Sequence, residues 1–143
     1  MQIKVLGATL LSHNEYDANE YYIIDKDFIW WLRSGVNTCS YKVYCVSSGS
    51  VSMIGVNYKH FGVVPALILE DKDIKAGSKI TYAGQKFTVL HDGLALSNKI
   101  IHHMAFRNDI NADDANIYEA SDVKKWVDAW FNRNGDTAET VEE

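Results

Sequence analysis

The sequence has 143 residues, of which 47% are hydrophobic and 23% are charged, and it carries a formal net charge of −5. This length fits one domain with a single core, and the composition is that of a globular protein rather than a disordered or fibrous one. No apolar run approaches the roughly 20 residues that a membrane-spanning helix needs, and 2 cysteines are too few for a disulfide scaffold.

The negative charge is concentrated at the C-terminus. Residues 134–143 hold four acidic residues and no basic one, so the rest of the chain carries about −1, which is −5 minus −4. This predicts one globular domain over 1–135 and a disordered acidic tail over 136–143. The body has no run of Lys or Arg, which disfavours a nucleic-acid partner. The N-terminus has no basic segment followed by an apolar stretch, so no secretion signal is predicted.

In the first half of the chain, the pattern predicts a short helix followed by short strands. Ser12 and Glu15 have the spacing of a capping box, which predicts a helix from there to about Tyr22. Strands are predicted over 28–33, 41–46, 50–56 and 62–69. Pro65 interrupts the last of them and marks an edge or a bulge, because proline cannot donate a ladder hydrogen bond.

The second half begins with a polar turn over 70–76, and the pattern that follows it predicts a hairpin. Strands over 78–82 and 85–90 flank the two-residue turn Ala83-Gly84, and a further short strand follows at 94–96.

The clearest predicted helix runs over 122–131. Apolar residues recur at helical spacing on one of its faces: Val123, Trp126, Val127, Trp130 and Phe131. Ser121 is a suitable N-cap, and Asn134-Gly135 supplies a stop. The irregular mixture of strands and helices predicts an α+β domain of short antiparallel strands with two or three short helices.

Two motifs in the first half resemble a known family. The chain reads Trp31-Leu32-Arg33-Ser34 and, after a polar stretch, Gly62-Val63-Val64-Pro65-Ala66-Leu67. These motifs are similar to the tryptophan-leucine-arginine-serine and Gly-Val-Arg-Pro-Ala-Leu signatures of modules widespread in phages and Firmicute genomes. Those modules have the C-type-lectin fold, in the branch of formylglycine-generating enzyme and the variable proteins of diversity-generating retroelements. Val64 stands where the family has a second arginine, so nothing is implied about that arginine's role here.

The second half resembles the opening portion of the same family. The matching segments are 77–80, 87–90 and 121–131. Because the family places this portion first, the resemblance implies a circular permutation, with the usual termini joined near 70–76. It also implies that Arg33 is a structural clamp that bonds backbone carbonyls of loops, with its stem on aromatic rings. The other structural residues are expected to be Trp30, Trp31, Trp126 and Trp130.

A stretch rich in Ser, Asn and Tyr, 36–61, is the predicted ligand-binding region. Tyrosine supplies contact area at low entropic cost, and Ser and Asn adapt their hydrogen bonds, so binding surfaces favour this mixture. The predicted ligand-binding residues are Asn37, Tyr41, Tyr44, Asn57, Tyr58, Lys59 and His60. The alternative interpretation is that short polar strands and turns need these residues in any case.

Cys39 and Cys45 raise the question of copper chemistry. They resemble the copper-binding cysteine pair of formylglycine-generating enzyme, although their spacing is one residue longer and the Gly-Gly before the pair is missing. Thiolate pairs are good ligands for soft metals, but an unpaired cysteine is more often a small buried hydrophobe.

Histidine and aspartate residues do not form a recognisable metal motif. The residues considered are His91, His102, His103, Asp71, Asp73, Asp113 and Asp114. Adjacent histidines on a helix point about 100° apart, and the aspartates lack the graded spacing of a calcium loop. We therefore predict no metal, no cofactor and no catalytic residue.

The leading prediction is a non-enzymatic binding module of phage or mobile-element origin. It would recognise a protein or cell-surface ligand through 36–61, in the cytoplasm of a host cell or in a virion, without a membrane. One alternative is a small intracellular inhibitor of a host defence system, similar to anti-CRISPR proteins, whose acidic charge mimics nucleic acid. Another is a copper-dependent oxidase. The sequence does not predict the oligomeric state.

Overall fold

Eleven strands and two α-helices make up residues 1–141, the part of the chain that the computed structural model describes. The strands are β1 Gln2–Thr9, β2 Trp30–Gly35, β3 Lys42–Ser47, β4 Ser50–Gly55, β5 Gly62–Val63, β6 Ala66–Leu69, β7 Lys79–Tyr82, β8 Gln85–Val89, β9 Leu94–Ser97, β10 His102–His103 and β11 Thr137–Thr140. The helices are α1 His13–Asn19 and α2 Asp122–Asn134, and single 3₁₀ turns cover Glu20–Tyr22, His91–Gly93 and Tyr118–Ala120. The prediction of an α+β domain with short helices is confirmed.

Six strands close into a barrel in the order β1-β11-β7-β8-β9-β6, with every neighbouring pair antiparallel. The two ends of the described chain lie side by side in it, since Gln2 is opposite Glu139 and Ile3 is opposite Ala138. Closure leaves these six strands without a free edge.

The other five strands form an open sheet in the order β10-β5-β2-β3-β4. Only the β2–β5 pair within this sheet is parallel. β4 therefore lies at one edge of the sheet and the two-residue β10 at the other.

Three clusters of buried side chains hold the domain together. The sheet core includes Trp31, Val43 and Phe106; the barrel core includes Ile3, Phe87 and Trp130; the junction core includes Trp30, Leu32 and Leu96. Trp126 of α2 is partly buried and packs against both the sheet core and the barrel core. Helix α2 thus joins the two sheets.

The capping-box prediction is confirmed. The Ser12 hydroxyl accepts from the Glu15 N–H at 3.1 Å, and the Glu15 carboxylate accepts from the Ser12 N–H at 2.8 Å. Ser121 likewise caps α2, which extends three residues beyond the predicted end at Phe131, to Asn134. With 13 residues α2 is the longest helix, and no helix among residues 1–141 is long and apolar enough to cross a bilayer.

The predicted disordered tail over 136–143 is wrong for the residues that the structure describes. Thr137–Thr140 forms β11, which pairs with both β1 and β7, and Ala138 is 1% exposed in the barrel core. The acidic composition predicts disorder, but the segment forms a strand in which the apolar Ala138 points inward and the charged Glu139 points outward. Glu142 and Glu143 lie outside the described residues.

Strand β1 was not predicted, and the predicted strand over 62–69 is two strands. Ile3 and Val5 alternate with exposed neighbours along β1, which is a half-buried pattern. Val64 and Pro65 separate β5 from β6, and these two strands belong to different sheets. The proline marks the point where the chain crosses from the open sheet to the barrel.

Candidate functional site

Arg33 connects β2 to the start of α1. One terminal nitrogen, Nη1, donates to the Leu10 carbonyl at 2.7 Å and to Glu15 Oε1 at 2.5 Å, and Nη2 donates to Glu15 Oε2 at 3.2 Å. Burial by itself raises the pKa of Glu15, but the hydrogen bonds from Arg33 and Ser12 outweigh it and hold that pKa below its ordinary value. Glu15 was assigned to the capping box alone, and its second role as the partner of Arg33 was missed.

The adjacent tryptophans fill different cores, because successive side chains of a strand point to opposite faces. Trp30 lies in the junction core, with its ring 5.7 Å from that of Tyr16. Trp31 lies in the sheet core, and its Nε1 donates to the Met104 carbonyl at 2.8 Å. Of the two tryptophans of α2, Trp130 is buried in the barrel core and Trp126 stacks on His102 with ring centroids 4.4 Å apart.

The loop between β2 and β3 is held by one buried side chain that was not predicted. The Asn116 amide nitrogen lies 3.0 to 3.1 Å from the carbonyl oxygens of Val36, Cys39 and Lys42, which share its two hydrogens. A Cβ at Gly35 would lie 2.7 Å from the Asn116 carbonyl oxygen, so the close approach requires glycine. Asn116 gives no sequence signal, because it lies 74 to 80 residues from its three partners.

Six of the seven predicted ligand-binding residues are exposed: Asn37, Tyr41, Asn57, Tyr58, Lys59 and His60. Tyr41 is 47% and Tyr58 51% exposed, and Tyr58 stacks on Phe61 at 5.3 Å. Tyr44 differs from the other six. It is half-buried and contacts His13 at 4.6 Å, on the face of β3 opposite to the sheet-core residues Val43 and Cys45.

Strand β4 presents a free hydrogen-bonding edge, and the predicted residues of 37–41 and 57–60 lie at its Gly55 end. Ser48 and Gly49, which join it to β3, both have positive φ (51° and 77°), as a type I′ turn requires. Such a turn closes on a hydrogen-bonded pair, so Ser50 and every second residue after it bond β3. The bond from the Val56 N–H to the Tyr41 carbonyl, at 3.0 Å, has the same parity.

Val51, Met53 and Gly55 consequently point their N–H and C=O groups away from β3. These groups have no backbone partner within residues 1–141. Met53 is 51% exposed, and no residue of β4 is charged.

The two cysteines are free, and only Cys39 is partly accessible. Burial raises the pKa of the Cys45 thiol to about 11, so it is protonated at neutral pH. Cys45 lies among the apolar side chains of the sheet core, which fits the interpretation of a small buried hydrophobe.

The histidines and aspartates remain scattered. Across residues 1–141 no three His, Cys, Asp or Glu side chains are grouped so that they could hold a metal ion. His102 stacks on Trp126, while the Nδ1 atom of the neighbouring His103 lies 2.7 Å from the His60 carbonyl.

Two cavities that the sequence did not predict share Asn98 and Lys99 in their walls. One, of about 390 Å³, is lined also by residues 24–28, Ile100 and His103. The other, of about 430 Å³, is lined also by Gly84, Gln85 and Lys86 at the β7–β8 turn. We call the second one the hairpin cavity.

No protein-family model, curated protein or solved structure matches the chain.

Proposed function

We propose that the protein is a non-enzymatic binding module that takes an extended segment of a protein ligand along the free edge of β4. The observation that carries the proposal is the row of unpartnered backbone groups at Val51, Met53 and Gly55. Only another extended backbone matches alternating N–H and C=O groups at strand spacing, so a peptide segment is the ligand that this edge fits.

The composition of β4 supports binding along this edge. Proteins usually protect an exposed edge with charged residues, proline, a bulge or a very short strand. β4 has six residues, Ser50–Gly55, with no charge and no proline, and its six pairs with β3 run without a shift in register.

Two loops at the Gly55 end of β4 supply side chains for specificity. Asn116 orders the loop over 36–41 before any ligand arrives, which lowers the entropic cost of binding. Tyr41 precedes β3 and Tyr58 follows β4, and both offer exposed aromatic surface for contacts with ligand side chains.

We further propose a circularly permuted C-type-lectin-like fold, a phage or mobile-element origin, and action in a host cell or in a virion. The motif residues at 31–34 and 62–67 support the fold. The pairing of β1 with β11 keeps the chain ends adjacent, which is the geometry that a permutation needs.

The defence-inhibitor alternative rests on the acidic charge of the chain, in its tail and on its faces, and residues 137–140 of that tail form a strand of the barrel. The Asp136 carboxylate pairs with the Lys4 ammonium, and Glu139 accepts from the Gln2 amide at 3.4 Å. These carboxylates are held against the barrel, which disfavours their use as a flexible mimic of nucleic acid.

Selection of a displayed random-peptide library on the immobilised full chain tests the proposal. We expect selected peptides to slow amide hydrogen exchange at Val51, Met53 and Gly55. The Met53→Pro variant, which removes one outward N–H, should lose the binding. Joint Tyr58→Ala and Lys59→Ala changes should weaken it, while Tyr21→Ala, at a tyrosine that is 91% exposed elsewhere, should not.

Peptides that protect other amides, or failure to select any, would contradict the proposal. A solution mass of twice 16.2 kDa with the same three amides already protected would place a second copy of the chain on the edge and would also contradict it.

A further inference from the structure

A chain of hydrogen bonds crosses the outer face of the barrel from β7 to the turn after β9. The Lys79 ammonium donates to the Thr88 hydroxyl at 2.7 Å, and that hydroxyl lies 2.6 Å from Asn98 Oδ1. An ammonium group only donates, so the Thr88 oxygen accepts a hydrogen bond from Lys79, and the Thr88 hydroxyl donates one to Asn98 Oδ1. With Oδ1 of Asn98 accepting from Thr88, the other end of the Asn98 amide is its NH₂ group.

The Asn98 NH₂ group is left as a free donor. It has no hydrogen-bond partner among residues 1–141 and is not enclosed in the core, since Asn98 lines the hairpin cavity. Its position is well defined, because the Asn98 N–H donates to the Lys86 carbonyl at 3.0 Å. The buried Ser97 hydroxyl fixes the same turn by donating to the Lys99 carbonyl at 2.7 Å.

The two charged groups that line the hairpin cavity are both cationic. Lys86 and Lys99 line it, neither forms an ion pair within the described chain, and no acidic residue is in its wall. The neighbouring cavity is mixed in charge, because Asp25 and Asp27 accompany Lys26 there.

One carboxylate lies close by on the outside of the barrel. By strand register Glu139 is opposite Thr81, which in turn is opposite Lys86. That carboxylate already accepts from the Gln2 amide at 3.4 Å.

We propose that the hairpin cavity binds the phosphate group of a small phosphorylated molecule, with the Asn98 amide and the Lys86 and Lys99 ammonium groups as donors. These three groups only donate here, so the ligand must supply acceptors, and a phosphate dianion matches two cations. The volume of about 430 Å³ exceeds what phosphate alone fills, which leaves room for an organic portion. This site is independent of the β4 edge.

An NMR titration of the full chain with ribose 5-phosphate tests the proposal, with ribose and inorganic phosphate as comparison probes. We expect saturable shifts of the Asn98 and Lys99 amide signals with ribose 5-phosphate, weaker binding of inorganic phosphate, and none of ribose. Asn98→Asp keeps the acceptor for Thr88 but replaces the free donor with a carboxylate. It should weaken binding at least about tenfold, the effect of losing one charge-assisted hydrogen bond.

Asn111→Asp is the matched control, because it adds the same charge at an exposed asparagine outside both cavities. It should leave affinity within about twofold, since distant exposed charges are screened. Lys99→Gln should also weaken binding, which keeps the test valid if Asn98→Asp fails to fold.

Four results would overturn the proposal. They are the absence of saturable shifts at these amides, equal losses in Asn98→Asp and Asn111→Asp, shifts with ribose alone, and inorganic phosphate binding as tightly as the ester.

Discussion

The β4 edge and the hairpin cavity are two candidate binding surfaces that arise from the sequence in opposite ways. The β4 edge and its flanking loops come from one continuous stretch, 36–61, with a recognisable composition. The donors of the hairpin cavity come from β8 and from the turn after β9, and a lysine of β7 orients one of them.

The difference shows what composition detects. A binding surface made from one segment is visible in the sequence as a run of polar and aromatic residues. A surface made from several strands appears in the sequence only as isolated lysines, which resemble ordinary solvated charges. The sequence has no run of Lys or Arg. This observation gives no indication that Lys86 and Lys99 line one cavity of the folded barrel.

The largest effect should come from proline substitutions that test the alternation along β4. Ser52→Pro removes an N–H that bonds β3 and should lower the free energy of unfolding by about 3 kcal/mol. Met53→Pro removes an outward N–H and should cost less than about 1 kcal/mol. Urea unfolding of both variants measures the difference, and equal losses would show that the edge does not present Met53 outward.

The next effect concerns the preorganised loop beside β4. Asn116→Ala removes a side-chain donor from three backbone carbonyls that each keep one backbone N–H, and it should cost about 2 kcal/mol, about 1 for each hydrogen of the lost NH₂ group. Hydrogen exchange at the Cys39 and Lys42 amides should speed up, because their bonds lie within the loop. Asn111→Ala, at an exposed asparagine, should change stability by less than about 0.5 kcal/mol. A loop that stays protected without Asn116 would remove the argument for preorganisation.

A smaller, pH-dependent effect is expected at the junction of β2 and α1. The pKa of Glu15 is lower in the folded state than its ordinary value of 4.5, so the native carboxylate binds fewer protons than the unfolded one. Its contribution, about 1 kcal/mol at neutral pH, is present above 4.5 and is lost as pH falls through the folded pKa. Unfolding of wild type and Glu15→Gln should therefore converge in acid, and a constant gap would contradict the ion pair.

An effect of similar size, at higher pH, should occur at Lys26, in the cavity next to the hairpin cavity. Burial, and to a smaller extent Lys79, lower the pKa of Lys26 to about 8 against the opposing influence of Asp25. Because the unfolded chain keeps that proton up to about 10.5, wild type should gain stability relative to Lys26→Met between about pH 8 and 10.5. We expect about 1 kcal/mol for this half-buried ammonium group, measured by chemical denaturation. No relative gain would mean that Lys26 is fully hydrated.

Local patterns predicted the elements whose signals are complete within a few residues. Ser12 with Glu15 located α1, Ser121 with the apolar stripe located α2, and Ala83-Gly84 located the β7–β8 turn. The same reasoning failed for β11, because four acidic residues in ten outweighed the single inward apolar residue, Ala138.

Partners that lie far apart along the chain were beyond such patterns. Arg33 was expected to bond backbone carbonyls, and it does bond Leu10, but its pairing with Glu15 depends on how α1 packs on β2. Asn116 is indistinguishable in sequence from other loop asparagines until the fold brings it to 36–42.

The sequence by itself determined the helix caps, the tight turns and the alternation of apolar residues, because these depend on backbone geometry and neighbours within one or two turns. Only the tertiary structure decided that β1 and β11 close a barrel, that β5 and β6 belong to different sheets, and that Lys86 shares a cavity with Asn98 and Lys99. Those outcomes depend on which distant strands pair, and pairing is selected by burial summed over the whole core rather than by any short segment.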